Sequence, residues 1–155
     1  EDLIIQLMDE IGYLLRSTLG SVFLKQGATI ESFKLAGYAF FEDFCFNYPE
    51  KCAIIFRESV GQSPLVEKHR KTLFDKCTSD VRNALLAVSK NQGFTFKGKF
   101  SAEVIAVSIM GVYERVAYQY LLWQDQSKDL KIIGRDAVAF LLGGVNNLLD
   151  KTSCI

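Results

Sequence analysis

The residues of this chain that could do chemistry are one histidine, four cysteines and a few adjacent acid–base pairs. His69 stands three residues after Val66 and four before Leu73, a helical spacing that leans it toward a buried stripe. Glu67, Lys68, Arg70 and Lys71 around it place it at a rim. A metal site needs several ligands, and haem needs an imidazole above a deep apolar pocket. One isolated histidine fits a rim position or a contact to a bound ligand. Cys45, Cys52, Cys77 and Cys154 show no short-spaced pairing, and Pro49 interrupts the helix between the first two. No second cysteine or histidine pair completes a zinc set, so they read as small buried hydrophobes, and neither metal nor other cofactor is expected. Arg57-Glu58, Glu114-Arg115 and Arg135-Asp136 are successive in the chain, and successive side chains diverge on a helix. They read as solvated or interhelical ion-pair residues. Glu114 stands out because it interrupts a helix that is apolar around much of its circumference, which leaves a pocket or dimer role open. There is no nucleophile beside a base and no glycine-rich phosphate loop, so no enzyme is expected.

The aromatic residues form a second candidate set. Phe40, Phe41, Phe44, Phe56, Phe74 and Tyr113 come from helices that should share one interior, with His69 and Cys77 on the long helix facing it. A cavity lined this way suits a small hydrophobic or aromatic ligand with a few polar anchors. The same rings also fill a core, and periodicity alone favours that use.

The elements that must position these residues turn on the stretch from Tyr48 to Leu65. Pro49 and Pro64 suit first helical positions, Gly61 suits a left-handed stop, and Ser63 suits an N-cap. Upstream, Ile4, Leu7, Met8, Ile11, Leu14, Leu15 and Val22 mark a first amphipathic helix to about Val22, broken by Gly20 and Gln26-Gly27. Thr29 caps a second, aromatic helix. After Pro64 a long helix carries Val66, Leu73, Cys77, Val81, Ala84 and Val88 on one stripe and stops at Asn91-Gln92-Gly93. Phe94 to Phe100 alternates like a strand but finds no partner, so it reads as a connector. Ser101 caps a helix to about Gln124, and the last helix follows a break at Asp125-Gln126-Ser127.

The last two helices are apolar on opposite sides. Ile105, Ile109, Val112, Val116, Tyr120 and Trp123 oppose Ala106, Met110, Tyr113, Ala117 and Leu121; Ile133, Ala137, Phe140, Leu141, Gly144 and Leu148 oppose Val138, Leu142, Val145 and Leu149. Such helices need two partners: their own core and, most simply, the same pair from a second copy. The expectation is a homodimer joined as a four-helix bundle through Tyr120, Trp123, Phe140, Leu141, Gly144 and Leu148. Gly111, Gly134 and Gly143-Gly144 add to this, since a helical glycine costs about 1 kcal/mol relative to alanine and is best offset where another backbone comes close. The alternative is a larger single core with tolerated glycines.

The expected fold is all-α, a helical bundle of about six helices in a single domain over residues 1–155. With 155 residues, 49% of them hydrophobic, the chain has material for a sizeable core, and disorder is excluded. Lys plus Arg, 18, balances Asp plus Glu, 18, so no electrostatic footprint for a phosphate backbone exists. The cysteine usage suits a reducing cytoplasm. The longest apolar runs are too short to cross a bilayer, and no signal segment opens the chain. The start at Glu1, without an initiator methionine, suggests a piece of something longer.

The run Tyr48-Pro49-Glu50, Ile54-Ile55-Phe56-Arg57-Glu58, Gly61, Pro64-Leu65 resembles the middle of the effector-binding domain of TetR-type (tetracycline repressor-like) transcriptional regulators. The closing helix pair, with Trp123 before Asp125, is similar to that family's dimerisation pair, and Glu1-Asp2-Leu3 looks like the point where its helix-turn-helix gives way to the linking helix. The resemblance covers essentially the whole chain apart from the missing DNA-binding domain. It implies a homodimeric, cytoplasmic, small-molecule-sensing domain whose apolar pocket modulates DNA binding by that N-terminal domain, and it implies pocket lining for the aromatic set. A stand-alone helical carrier of a hydrophobic ligand or haem is the alternative.

Overall fold

The computed structural model describes residues 1–123 and 129–150. Local punctuation sets the helix boundaries. Tyr48 precedes Pro49 at the start of α3 (Pro49–Ala53), and Ser63 Oγ accepts the Val66 N–H at 3.2 Å ahead of Pro64, where α4 (Pro64–Gln92) begins. Gly61 turns the corner between them at φ 71°, and its N–H donates to Glu67 Oε1 at 2.6 Å, so the first turn of α4 closes back on the loop. Gly93 ends α4 in the left-handed conformation at φ 72°. Thr29 caps α2 (Ile30–Ala39) by accepting the Ser32 N–H at 3.1 Å.

These helices, with α1 (Asp2–Gln26), α5 (Ser101–Ala117) and α6 (Leu130–Leu148), form an all-α bundle. α2, α3 and α5 run on without a break into π-helical turns at Phe40–Cys45, Ile54–Glu58 and Tyr118–Trp123. Each extra residue per turn rotates the following side chains by about 100°. Met8, Ile11 and Leu15 of α1, Phe41, Phe44 and Cys45, Ile55 and Phe56, Leu85 and Val88 of α4, Ile105 and Ile109 of α5, and Leu130 and Val138 of α6 are buried at its centre. Side chains of neighbouring helices pack onto the backbone where a glycine leaves room: Leu73 on Gly12 of α1, Tyr113 and Val138 on Gly37 of α2, and Phe41 on Gly134 of α6. Ion pairs lace the surface, among them Arg82–Glu103 and Arg135–Glu42, both at 2.9 Å. Exposed pairs of this kind contribute about 0–1 kcal/mol each. Among the described residues no helix is long and apolar enough to cross a membrane.

Several sequence-based expectations are corrected. Gly20 does not interrupt α1, which runs to Gln26 and ends at Gly27. One helical glycine costs only about 1 kcal/mol, and Leu15, Leu19 and Phe23 keep the apolar row going on both sides of it. Ser101 is the first residue of α5 rather than its cap; its hydroxyl accepts the Gly98 N–H at 3.0 Å and closes the preceding turn. The 94–100 segment does have a partner: β1 (Thr95–Phe96) pairs antiparallel with β2 (Leu149–Asp150) just beyond α6. Lys97 secures the bridge by donating its N–H to Leu148 O at 2.9 Å and its Nζ to Asn147 O at 2.8 Å. Arg57 and Glu58 do not diverge but pair at 2.7 Å. Gly134 serves the protomer's own core, since a β-carbon there would meet Phe41 Cγ at 2.5 Å. The break at Asp125-Gln126-Ser127 lies outside the described residues.

Candidate functional site

Side chains on four helices line a partly open cavity of about 650 Å³, within the range of small-molecule sites. Helical spacing builds each wall. Leu15, Leu19 and Phe23 form an i, i+4 row on α1, Phe33, Ala36, Gly37 and Phe40 come from one face of α2, Cys77, Val81 and Ala84 from α4, and Ile109, Met110, Tyr113 and Glu114 from α5. Phe56 completes the floor. Ala36 and Ala84 contribute only methyl groups to the wall. The rings brace one another: Phe40 stacks on Tyr113 at 5.1 Å, lies 6.4 Å from Phe56, and Phe23 meets Phe33 edge-on at 5.2 Å.

Few polar groups reach the wall. Arg16 grips Asp80 through Nε at 2.5 Å and Nη2 at 3.0 Å, tying α1 to α4 at the rim. The Ser17 and Ser21 hydroxyls donate to their own helix, to Leu14 O and Thr18 O. Glu114 meets Arg70 Nη2 at 3.4 Å, and burial raises its carboxyl above the ordinary value although Arg70 pulls the other way. Burial also raises the Tyr113 phenol, keeping it protonated, and among the described residues no protein group hydrogen-bonds its hydroxyl. The Cys77 thiol is pushed up to about 11 by burial and by the nearby Asp80, against the opposing charge of Arg16. It is a poor nucleophile at neutral pH.

Of the residues named from the sequence as ligand contacts, Phe40, Phe56, Cys77 and Tyr113 line the cavity. The other four do not. Phe41 and Phe44 are fully buried behind it, Phe41 packing edge-on to Tyr113 at 5.2 Å and covering Gly134. Phe74 backs Phe56 at 6.2 Å and lies under the Arg70 guanidinium at 4.9 Å. His69 Nε2 is 2.9 Å from Asp9 Oδ1, which holds the ring at the seam of α1 and α4. The α1 wall is not among the sequence expectations, although the i, i+4 row Leu15, Leu19, Phe23 signals it. Glu114, which interrupts the apolar surface of its helix, is in the wall.

Among the residues named for the dimer, Phe140 is 74% and Trp123 57% exposed, and Gly144 faces open space. Trp123 meets Tyr118 edge-on at 5.0 Å and carries the Arg115 guanidinium at 4.5 Å. Leu141 is buried in the protomer's core, and Tyr120 and Leu148 are half-buried against it. Among the described residues no three His, Cys, Asp or Glu side chains converge as metal ligands would. No protein-family model matches the chain, and neither a curated protein nor a solved structure matches it.

Proposed function

We propose that this chain is the small-molecule-sensing and dimerising domain of a TetR-type transcriptional regulator, acting on DNA through a domain joined ahead of α1. The observation that carries this reading is the position of the cavity. One of its walls is α1 itself, from Leu15 to Leu24. A ligand that fills the space favours whichever packing of α1 against α4 accommodates it, and α1 carries the difference outward. The hydrophobic wall supports an apolar or aromatic effector.

Dimerisation through α5 and α6 is the second half of the proposal. Val104, Val107 and Gly111 of α5, and Ile132, Phe140, Gly143 and Gly144 of α6, all face outward. Unpartnered apolar side chains beside bare glycines suit close helix packing against a second copy.

The test is native mass spectrometry of material retained by the protein, followed by thermal unfolding with the recovered compound. Stabilisation lost on Ala84→Phe, which fills the cavity, is expected; stabilisation unchanged by that substitution removes the cavity reading. The same cavity also favours a carrier of hydrophobic cargo, with His69 outside the wall and not positioned to ligate haem within it. A basic helix-turn-helix encoded ahead of Glu1 in the natural gene distinguishes the regulator, and its absence there overturns that half of the proposal.

A further inference from the structure

The charges around the cavity are unevenly satisfied. Arg16 and Asp80 neutralise each other through two hydrogen bonds. Glu114 is the remaining charged residue of the wall, and its partner Arg70 stands behind it, laid over Phe74. That pair is long, 3.4 Å through one nitrogen and Glu114 Oε1, and it is not bidentate, since Arg70 Nε is buried without a partner. Among the described residues no donor reaches the second carboxylate oxygen of Glu114. The preceding residue, Tyr113, adds a hydroxyl with no hydrogen-bond partner among the described residues, and the rings of Tyr113, Phe40 and Phe56 lie nearby.

A carboxylate beside aromatic rings in a largely apolar cavity attracts a positive charge. An anion would meet Glu114, with Arg16 already engaged by Asp80 and Arg70 not among the residues of the wall. We propose that the cavity selects organic cations: lipophilic amines or quaternary ammonium compounds whose head lies at Glu114 and Tyr113 and whose body lies along Leu15, Leu19 and Phe33. This rests on the reading of the cavity as a small-molecule site and names the class of molecule it takes.

The experiment compares dodecyltrimethylammonium, dodecanol and dodecanoate, each below its micelle-forming concentration, by titration calorimetry on the full chain. The ammonium compound binds about tenfold more tightly than the alcohol, and the carboxylate more weakly than either. Glu114→Gln erases the preference for the cation over the alcohol. If that variant loses its helical circular dichroism, the double substitution Arg70→Gln with Glu114→Gln, which strands no charge, gives the same readout. Equal affinities, a preference for dodecanoate, or a cation preference that survives loss of Glu114 overturns the charge selection and leaves the cavity reading standing. If no probe binds, or if Ala84→Phe leaves all binding intact, the small-molecule site itself is wrong and the cation proposal falls with it.

Discussion

The Tyr113 hydroxyl occupies the space that a β-carbon on Gly37 would take, so a side chain of α5 packs directly on the backbone of α2 there. Val138 Cγ2 closes the same spot from α6, 2.6 Å from where that carbon would lie. Gly37→Ala therefore has to displace the Tyr113 ring or separate α2 from α6. Overpacking of this kind costs about 1–3 kcal/mol, and the gain in helix propensity offsets about 1 kcal/mol of it. A net loss of stability is expected in urea unfolding, together with weaker binding of any cavity ligand, because both residues line the cavity. Adding Tyr113→Phe, which removes the obstructing oxygen, should recover part of the loss. A stabilised single variant would show that the ring is free to move.

Two further glycines should respond to alanine with opposite signs. At Gly134 the new carbon meets Phe41 Cγ at 2.5 Å and Cβ at 2.6 Å, inside the core, so Gly134→Ala destabilises by about 1–3 kcal/mol. At Gly20, mid-helix in α1, nothing lies within 4 Å, so Gly20→Ala stabilises by about 0.5–1 kcal/mol. Paired thermal unfolding checks both. If Gly134→Ala raises the midpoint as Gly20→Ala should, the assignment of Gly134 to the core fails.

The corner from Pro49 through Gly61 to Pro64 was legible in the sequence because proline, glycine and a capping serine each act on their own backbone. The all-α bundle followed from period and caps. The cavity was less legible. Periodicity assigns a residue to a face, but whether that face meets a ring or a gap depends on what another helix places opposite. Phe40 and Phe41 are neighbours in the chain, yet one lines the cavity and the other fills the core against Gly134. The spacing of His69 leaves it between a buried stripe and a rim, and that it meets a carboxylate is decided by Asp9, sixty residues away. The β1–β2 bridge escaped for the same reason, its partner lying beyond α6.

The outward face of α6 supplies a test of assembly. Phe140→Glu and Gly144→Glu place charge on a surface where Phe140 is 74% exposed and Gly144 has no neighbour within 4 Å. In a protomer that stays alone, neither should alter sedimentation or reduce stability by more than about 0.5 kcal/mol at Phe140. In the proposed dimer, both should shift the protein to monomers at micromolar concentration. Gly143→Ala is the milder version: it favours the helix by about 1 kcal/mol but obstructs a second backbone. Monomers with undiminished thermal stability are expected. A wild-type protein that sediments as a monomer ends the dimer proposal.

Burial of Cys77 predicts how stability changes with alkalinity. The thiol has an ordinary value of 9.0 and is pushed up to about 11 in the folded protein. Below about pH 9 both folded and unfolded chains hold the proton, and Cys77 adds no pH dependence. As pH rises from there, the unfolded chain ionises first while the folded chain keeps its proton, so unfolding becomes favoured. The loss levels off above about pH 11, and a gap of this size is worth about 3 kcal/mol. Cys45 and Tyr113 are pushed up by burial as well and act with the same sign. Cys77→Ala should therefore lower stability somewhat at about pH 8, through lost packing, yet flatten its decline between about pH 9 and 11. Urea midpoints measured across that range check it, and a variant that declines as steeply as the wild type would show that Cys77 ionises as readily folded as unfolded.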